Sequence, residues 1–135
     1  MIKDIDPPKV EDIALAAVPE SNPETGVDEW YIYLINLKEV EITNVIVASR
    51  GYGLIEKEKV ETSQLRHLVE TIPPKSYVKI EPIMEDLFKL NNQYWVSFYI
   101  DSEIFDKKYV FLAETIQKEN TTEVPLMGRK GVLLK

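Results

Sequence analysis

Along this chain apolar residues recur at alternate positions over short stretches, and a sustained 3.6-residue period is almost absent. Val, Ile, Tyr, Phe and Trp dominate these stretches, while Pro, Gly and Asn separate them, which is the signature of strands joined by turns. The pattern predicts strands over 12–18, 29–37, 42–49, 60–70, 77–83, 93–101 and 107–114, with a short final strand at 131–134. Seven or eight antiparallel strands spaced about 12 residues apart predict an all-β protein, a sandwich or a barrel. One stretch departs from the rule. In "IMEDLFKLNN", Ile83, Met84, Leu87, Phe88 and Leu90 share a face over about two helical turns, so at most one short helix is expected near 83–90.

Turn chemistry fills the gaps. "PESNPETG" (19–26) reads as a polar loop, "IEKEK" (55–59) as a charged hairpin tip and "GRKG" (128–131) as a second hairpin turn. The glycines of "SRGYG" (49–53) follow a strand without opening a helix and lack the Lys-Ser/Thr ending of a phosphate loop, so they read as a bulge or turn. No internal repeat or linker divides the chain, and residues 1–135 are expected to form a single sandwich domain.

From Trp30 to Phe111 the order of signals resembles small immunoglobulin-like sandwiches. A strand runs into "INL", then comes "EITNVIVAS" with Thr43, Asn44, Val45, Ile46 and Val47, then a strand ends in "IPPKSYVKIEPI" with Pro74, Lys75 and Ser76. The resemblance implies an immunoglobulin-like antiparallel β-sandwich in which the strands holding Trp30 and Trp95 are neighbours. The whole chain also resembles an uncharacterised group of small bacterial proteins, a likeness that implies no activity and lends no site residue.

Composition narrows the function. With 44% apolar and 29% charged residues, 135 residues suffice for one buried core and are too apolar for disorder. Acids outnumber Lys plus Arg by 23 to 16, a net charge of -7, and the basic residues come singly or in pairs such as Lys107 with Lys108. Such a surface repels phosphate, so neither nucleic acid nor an anionic membrane is expected as a partner. The absence of cysteine excludes disulfides, thiolate metal sites and cysteine nucleophiles. No apolar run approaches the roughly 18 residues of a membrane helix. "MIKDIDPPKV" lacks a signal peptide's apolar stretch, and with residue 1 as the natural start a cytoplasmic location is expected.

His67 is the only histidine. In "QLRHLVE" alternation groups it with Leu65 and Val69, opposite Gln64, Arg66, Leu68 and Glu70. Ser63 shares its face but lies about 13 Å along the strand, too far to be its nucleophile. If "IEKEK" closes a hairpin, Ser49 faces either Leu65 or His67, and no carboxylate is obviously placed to orient the ring. The expected role is a hydrogen-bonded histidine in or at the edge of the core. Asp101, Glu103 and Asp106 lack the glycine and regular spacing of a calcium loop and read as a solvated turn. No catalytic residue, metal or cofactor is expected.

Two strands present more apolar surface than a sandwich interior can take. "EWYIYLINL" has Trp30, Ile32 and Leu34 on one face and Tyr31, Tyr33 and Ile35 on the other, while "QYWVSFYID" sets Tyr94, Val96 and Phe98 against Trp95, Ser97 and Tyr99. With the first set of each in the core, Tyr31, Tyr33, Trp95 and Tyr99 are expected to point outward and form one binding patch, because Tyr and Trp favour interfaces. The leading expectation is a non-catalytic module that self-associates or binds a protein partner through this face. A carbohydrate-binding module is the alternative, and a small hydrolase using His67 the third reading.

Overall fold

In the computed structural model, which describes residues 9–135, the alternating stretches pair into ten strands. They are β1 (Ile13–Ser21), β2 (Asp28–Asn36), β3 (Ile42–Ile55), β4 (Glu58–Glu61), β5 (Leu65–Ile72), β6 (Ser76–Ile83), β7 (Asn91–Ile100), β8 (Glu103–Phe111), β9 (Thr122–Val124) and β10 (Arg129–Leu134). One sheet has the order β6-β2-β1-β10-β9; the other has β4-β3-β7-β8, with β5 also paired to β3. All pairings are antiparallel, and the two sheets face one another as an all-β sandwich.

The immunoglobulin-like neighbour relation is corrected by this order. β2 pairs with β1 and β6, whereas β7 pairs with β3 and β8, so the Trp30 and Trp95 strands lie in different sheets. The strand count also exceeds the expected seven or eight. The single strand expected over 60–70 is two, β4 and β5, which pair in succession with one long partner, β3. The switch falls at Gly51, whose N–H donates to Thr62 Oγ1 at 2.7 Å and whose carbonyl accepts from Thr62 N–H at 2.9 Å. A Cβ there would lie 3.2 Å from Thr62 Cγ2 and 3.3 Å from Asn92 Oδ1, so glycine serves close approach instead of a turn. The tip between β3 and β4 is the expected one: Glu56 and Lys57 both have left-handed φ, 50° and 70°, as a tight hairpin turn demands.

No α-helix occurs among the described residues. The stretch read as helical is a 3-10 turn, Glu85–Lys89, because strand β7 resumes at Asn91 and leaves too few residues for a stable α-helix. Its Phe88 meets Trp30 edge to face at 5.9 Å. Among the described residues no helix is long and apolar enough to cross a membrane.

Between the sheets lie Leu15, Ala17, Trp30, Ile32, Leu34, Val45, Val47, Val96, Phe98 and Phe111, all buried. Phe98 stacks on Phe105 at 5.3 Å, and the Tyr109 hydroxyl crosses the core to donate to the Ile13 carbonyl at 2.6 Å. A second apolar cluster occupies the outer face of the β1-β2 sheet: Ala14, Ala16, Val18, Tyr33 and Ile35, joined by Val124 and Met127 of the C-terminal hairpin. Gly131 makes that hairpin fit, since a Cβ there would sit 2.7 Å from the Ala17 carbonyl oxygen and 2.9 Å from Val18. The hairpin turns at Pro125–Gly128, just ahead of the "GRKG" position read from the sequence, and leaves Gly131 inside β10.

Asn36 ties the loops at one end of the sandwich. Fully buried, its amide nitrogen donates to the carbonyls of Val40, Ile72 and Pro73, and its oxygen accepts from Lys38 N–H. Asn36→Ala strands several buried groups at once, so urea unfolding should show a loss of about 3 kcal/mol.

Candidate functional site

Strict alternation through "SYVKIEPI" aligns Glu81 with Tyr77 and Lys79, on the outside. The register breaks it. Ile32 pairs with Glu81 and Tyr33 with Lys79, leaving Ile80 as an inserted residue, a β-bulge that turns Glu81 toward the interior. Its side chain is 9% exposed.

There Glu81 collects three donors from three strands. The Ser49 hydroxyl (β3) donates to Oε1 at 2.8 Å, His67 Nε2 (β5) lies 2.8 Å from the same oxygen, and the Tyr94 hydroxyl (β7) reaches Oε2 at 3.5 Å. Burial, reinforced by the Glu81 charge and hydrogen bond, pushes the Tyr94 phenol far above its ordinary range. Because β5 edges one sheet and β6 the other, the His67–Glu81 pair closes the open side of the sandwich. Ser49, Glu81 and Tyr94 line a cleft of about 210 Å³ together with Gly51, Thr62 and Asn92.

β3 and β5 pair with Ser49 opposite Leu65 and Val47 opposite His67, the first of the two registers the sequence left open. Ser49 and His67 therefore converge on one carboxylate oxygen, whereas a nucleophilic relay places the imidazole between hydroxyl and acid. What the arrangement does chemically is satisfy a buried carboxyl group from three strands. Sequence reading missed Glu81, although one signal was present: Val78, Ile80 and Ile83 cannot all face one way unless a residue is inserted.

The four outward aromatics separate into two pairs on opposite surfaces of the sandwich. Tyr31 and Tyr33 lie outside the β1-β2 sheet, where a polar network occupies them. Tyr33, 4% exposed, donates to Glu20 at 3.0 Å and accepts from Arg129 at 3.4 Å, with Tyr77 edge-on at 5.9 Å. Lys79 bonds Glu20 at 3.1 Å and sits 3.9 Å above the Tyr31 ring. Partial burial opposes the charge on Glu20, but hydrogen bonds from Lys79, Tyr33 and Arg129 outweigh it and hold the carboxyl below its ordinary value of 4.5.

Trp95 and Tyr99 stand on the outer face of the other sheet. Trp95, 43% exposed, lies between Ala48 and Lys108, whose ammonium is 4.9 Å from the ring. Tyr99 lies between Thr43 and Ile104. Three apolar residues absent from the expected patch extend it: Ile46, Leu68, which is 74% exposed, and Ile104, which is 52% exposed. Leu68 was legible as the lone apolar residue on a face shared with Gln64, Arg66 and Glu70. Among the described residues no group of His, Asp and Glu is arranged to hold a metal ion.

Two outcomes test these placements. Glu81→Ala should cost about 3 kcal/mol in urea unfolding, because Ser49, His67 and Tyr94 all lose their acceptor, while His67→Ala should cost about 1 kcal/mol. Glu20, with its folded pKa depressed, adds stability that is present above about pH 4.5 and lost as pH falls through the lower folded value. Glu20→Gln should lower stability at pH 7 by about 1 kcal/mol or less, and melting curves should show wild type and variant converging at acid pH. No protein-family model matches this chain, and no curated protein matches it in sequence.

Proposed function

We propose that this protein is a non-catalytic interaction module whose contact surface is the outer face of the β3-β7-β8 sheet, centred on Trp95 and Tyr99. The observation that carries this reading is the asymmetry between the two outer faces. On the β1-β2 sheet the C-terminal hairpin packs on the apolar residues, whereas Leu68, Ile104 and Trp95 stand in solvent around Ile46 and Tyr99. Contiguous apolar patches of this kind are uncommon on monomers and mark contact sites. Tyr31 and Tyr33 drop out of the surface, being held by Glu20, Lys79 and Arg129.

A protein partner fits this surface better than nucleic acid or a membrane, because a net charge of -7 repels phosphates. The reading places the module in the cytoplasm. Carbohydrate stacking on Trp95 would have to displace the Lys108 ammonium from the ring. Hydrolysis at His67 would require a hydroxyl freed from Glu81.

Leu68→Glu and Trp95→Ala should each weaken association by about 2 kcal/mol or more, as loss of an anchor does, with the melting temperature little changed. Light scattering and capture from native lysate, comparing wild type with both variants, measure this. Association unaffected by either substitution would refute the reading.

A further inference from the structure

We propose that the partner taken by this face is a second copy of the chain, packed sheet on sheet about a two-fold axis that runs across the strands. The proposal rests on the contact-face reading and adds the identity and register of the occupant.

Charge arrangement carries it. Register pairing lays the outer face out in rows across the strands: Arg66, Ala48, Trp95 and Lys108, then Leu68, Ile46, Ser97 and Asp106. Two residues farther along β5, and on the same side, stands Glu70, with Tyr99 paired to Ile104 at the same end. The face therefore has a basic end, Arg66 and Lys108, and an acidic residue, Glu70, at the other end of β5, with Asp106 in the middle row and the apolar residues running between. Arg66 and Lys108 balance Glu70 and Asp106, and Arg50, one row farther on, is paired with Glu61 at 3.7 Å, so the face is close to neutral on a molecule whose total is -7. Two copies therefore meet through this surface without the repulsion that their total charge would impose.

Rotation about an axis across the strands, level with Leu68, keeps β5 over β5 and reverses its direction. Arg66 of each copy then lies over Glu70 of the other, while Asp106, level with the axis, meets its own counterpart with a Lys108 from each copy two residues away along β8. Rotation about an axis along the strands would instead set Arg66 against Lys108. Along β5 the first arrangement is self-complementary, as an isologous contact must be, and it matches the aligned packing that sheets adopt. A partner of uniform charge would be opposed at one end of the face.

The test is sedimentation velocity on the full chain, over concentrations up to the order of 100 μM. Wild type should show a monomer–dimer equilibrium. Arg66→Glu and Glu70→Arg should each weaken the dimer about tenfold or more, as like charges brought together do, and the double variant R66E/E70R should recover most of the loss. Leu68→Glu should leave only monomer, with the melting temperature showing that each variant is folded. A strictly monomeric wild type, or a double variant no better than the singles, overturns the proposal. If the wild type is monomeric while a different protein is captured in a Leu68-dependent way, the second copy is refuted and the contact face stands. If Leu68→Glu changes neither dimerisation nor capture, both fail.

Discussion

A sheet that is apolar on both faces must be covered twice, and the architecture follows from that requirement. β1 and β2 supply Leu15, Ala17, Ile32 and Leu34 to the interior, yet they also carry Ala14, Ala16, Val18, Tyr33 and Ile35 on the reverse. One opposing sheet covers only the first set. The second is met by small residues that need little cover, by the Val124 and Met127 hairpin, and by a glycine at 131 that lets the hairpin sit against Ala17 and Val18. Glu20, Lys79 and Arg129 then rim this cluster, satisfying the Tyr33 hydroxyl while their own charges reach water. Tyr33 is thus part of the protein's own second core, with Tyr31 packed against it, and only this half of the expected aromatic patch is taken up there.

The open side of the sandwich is closed differently, by a buried carboxyl group. A buried carboxylate is costly unless its oxygens are met by donors, and Glu81 receives them from Ser49, His67 and Tyr94. In exchange for that desolvation, one side chain joins β6 to β3, β5 and β7, across strands that share no ladder with β6. This gives the only histidine a structural task at the margin of the core and gives the bulge at Ile80 its reason. Without the inserted residue the carboxyl group would point to water, and Ser49, His67 and Tyr94 would have no common partner.

The all-β sandwich was legible because period-2 alternation is a local property, and each of the eight stretches read as strands overlaps an observed one. What was not legible depended on pairing. Nothing in the order of the strands announces that β2 and β7 belong to different sheets, so Tyr31 and Tyr33 were grouped with Trp95 and Tyr99 on the strength of a resemblance. Likewise, a bulge is a property of two strands, and only the broken spacing of Val78, Ile80 and Ile83 hinted that Glu81 turns inward. Trp95 and Tyr99 were placed correctly on an outward face, but their neighbours Leu68, Ile46 and Ile104 come from three other segments and are joined to them by register alone.

Edges matter as much as faces in deciding how such a sandwich meets another protein. A strand edge offers unpaired N–H and C=O groups, and here each edge is blunted. β9 has three residues, β4 has four with Glu58, Lys59 and Glu61 among them, β8 carries Asp106, Lys107 and Lys108, and β6 is bulged and joined to β5 through Glu81. Strand addition, which propagates readily into open assemblies, is opposed on all of them. Among the described residues the apolar surface around Leu68, Trp95 and Ile104 is a face, and face-to-face contact about a two-fold axis consumes it in a single closed pairing. The same distribution of charge that protects the edges therefore directs association, where it occurs, to an assembly of finite size.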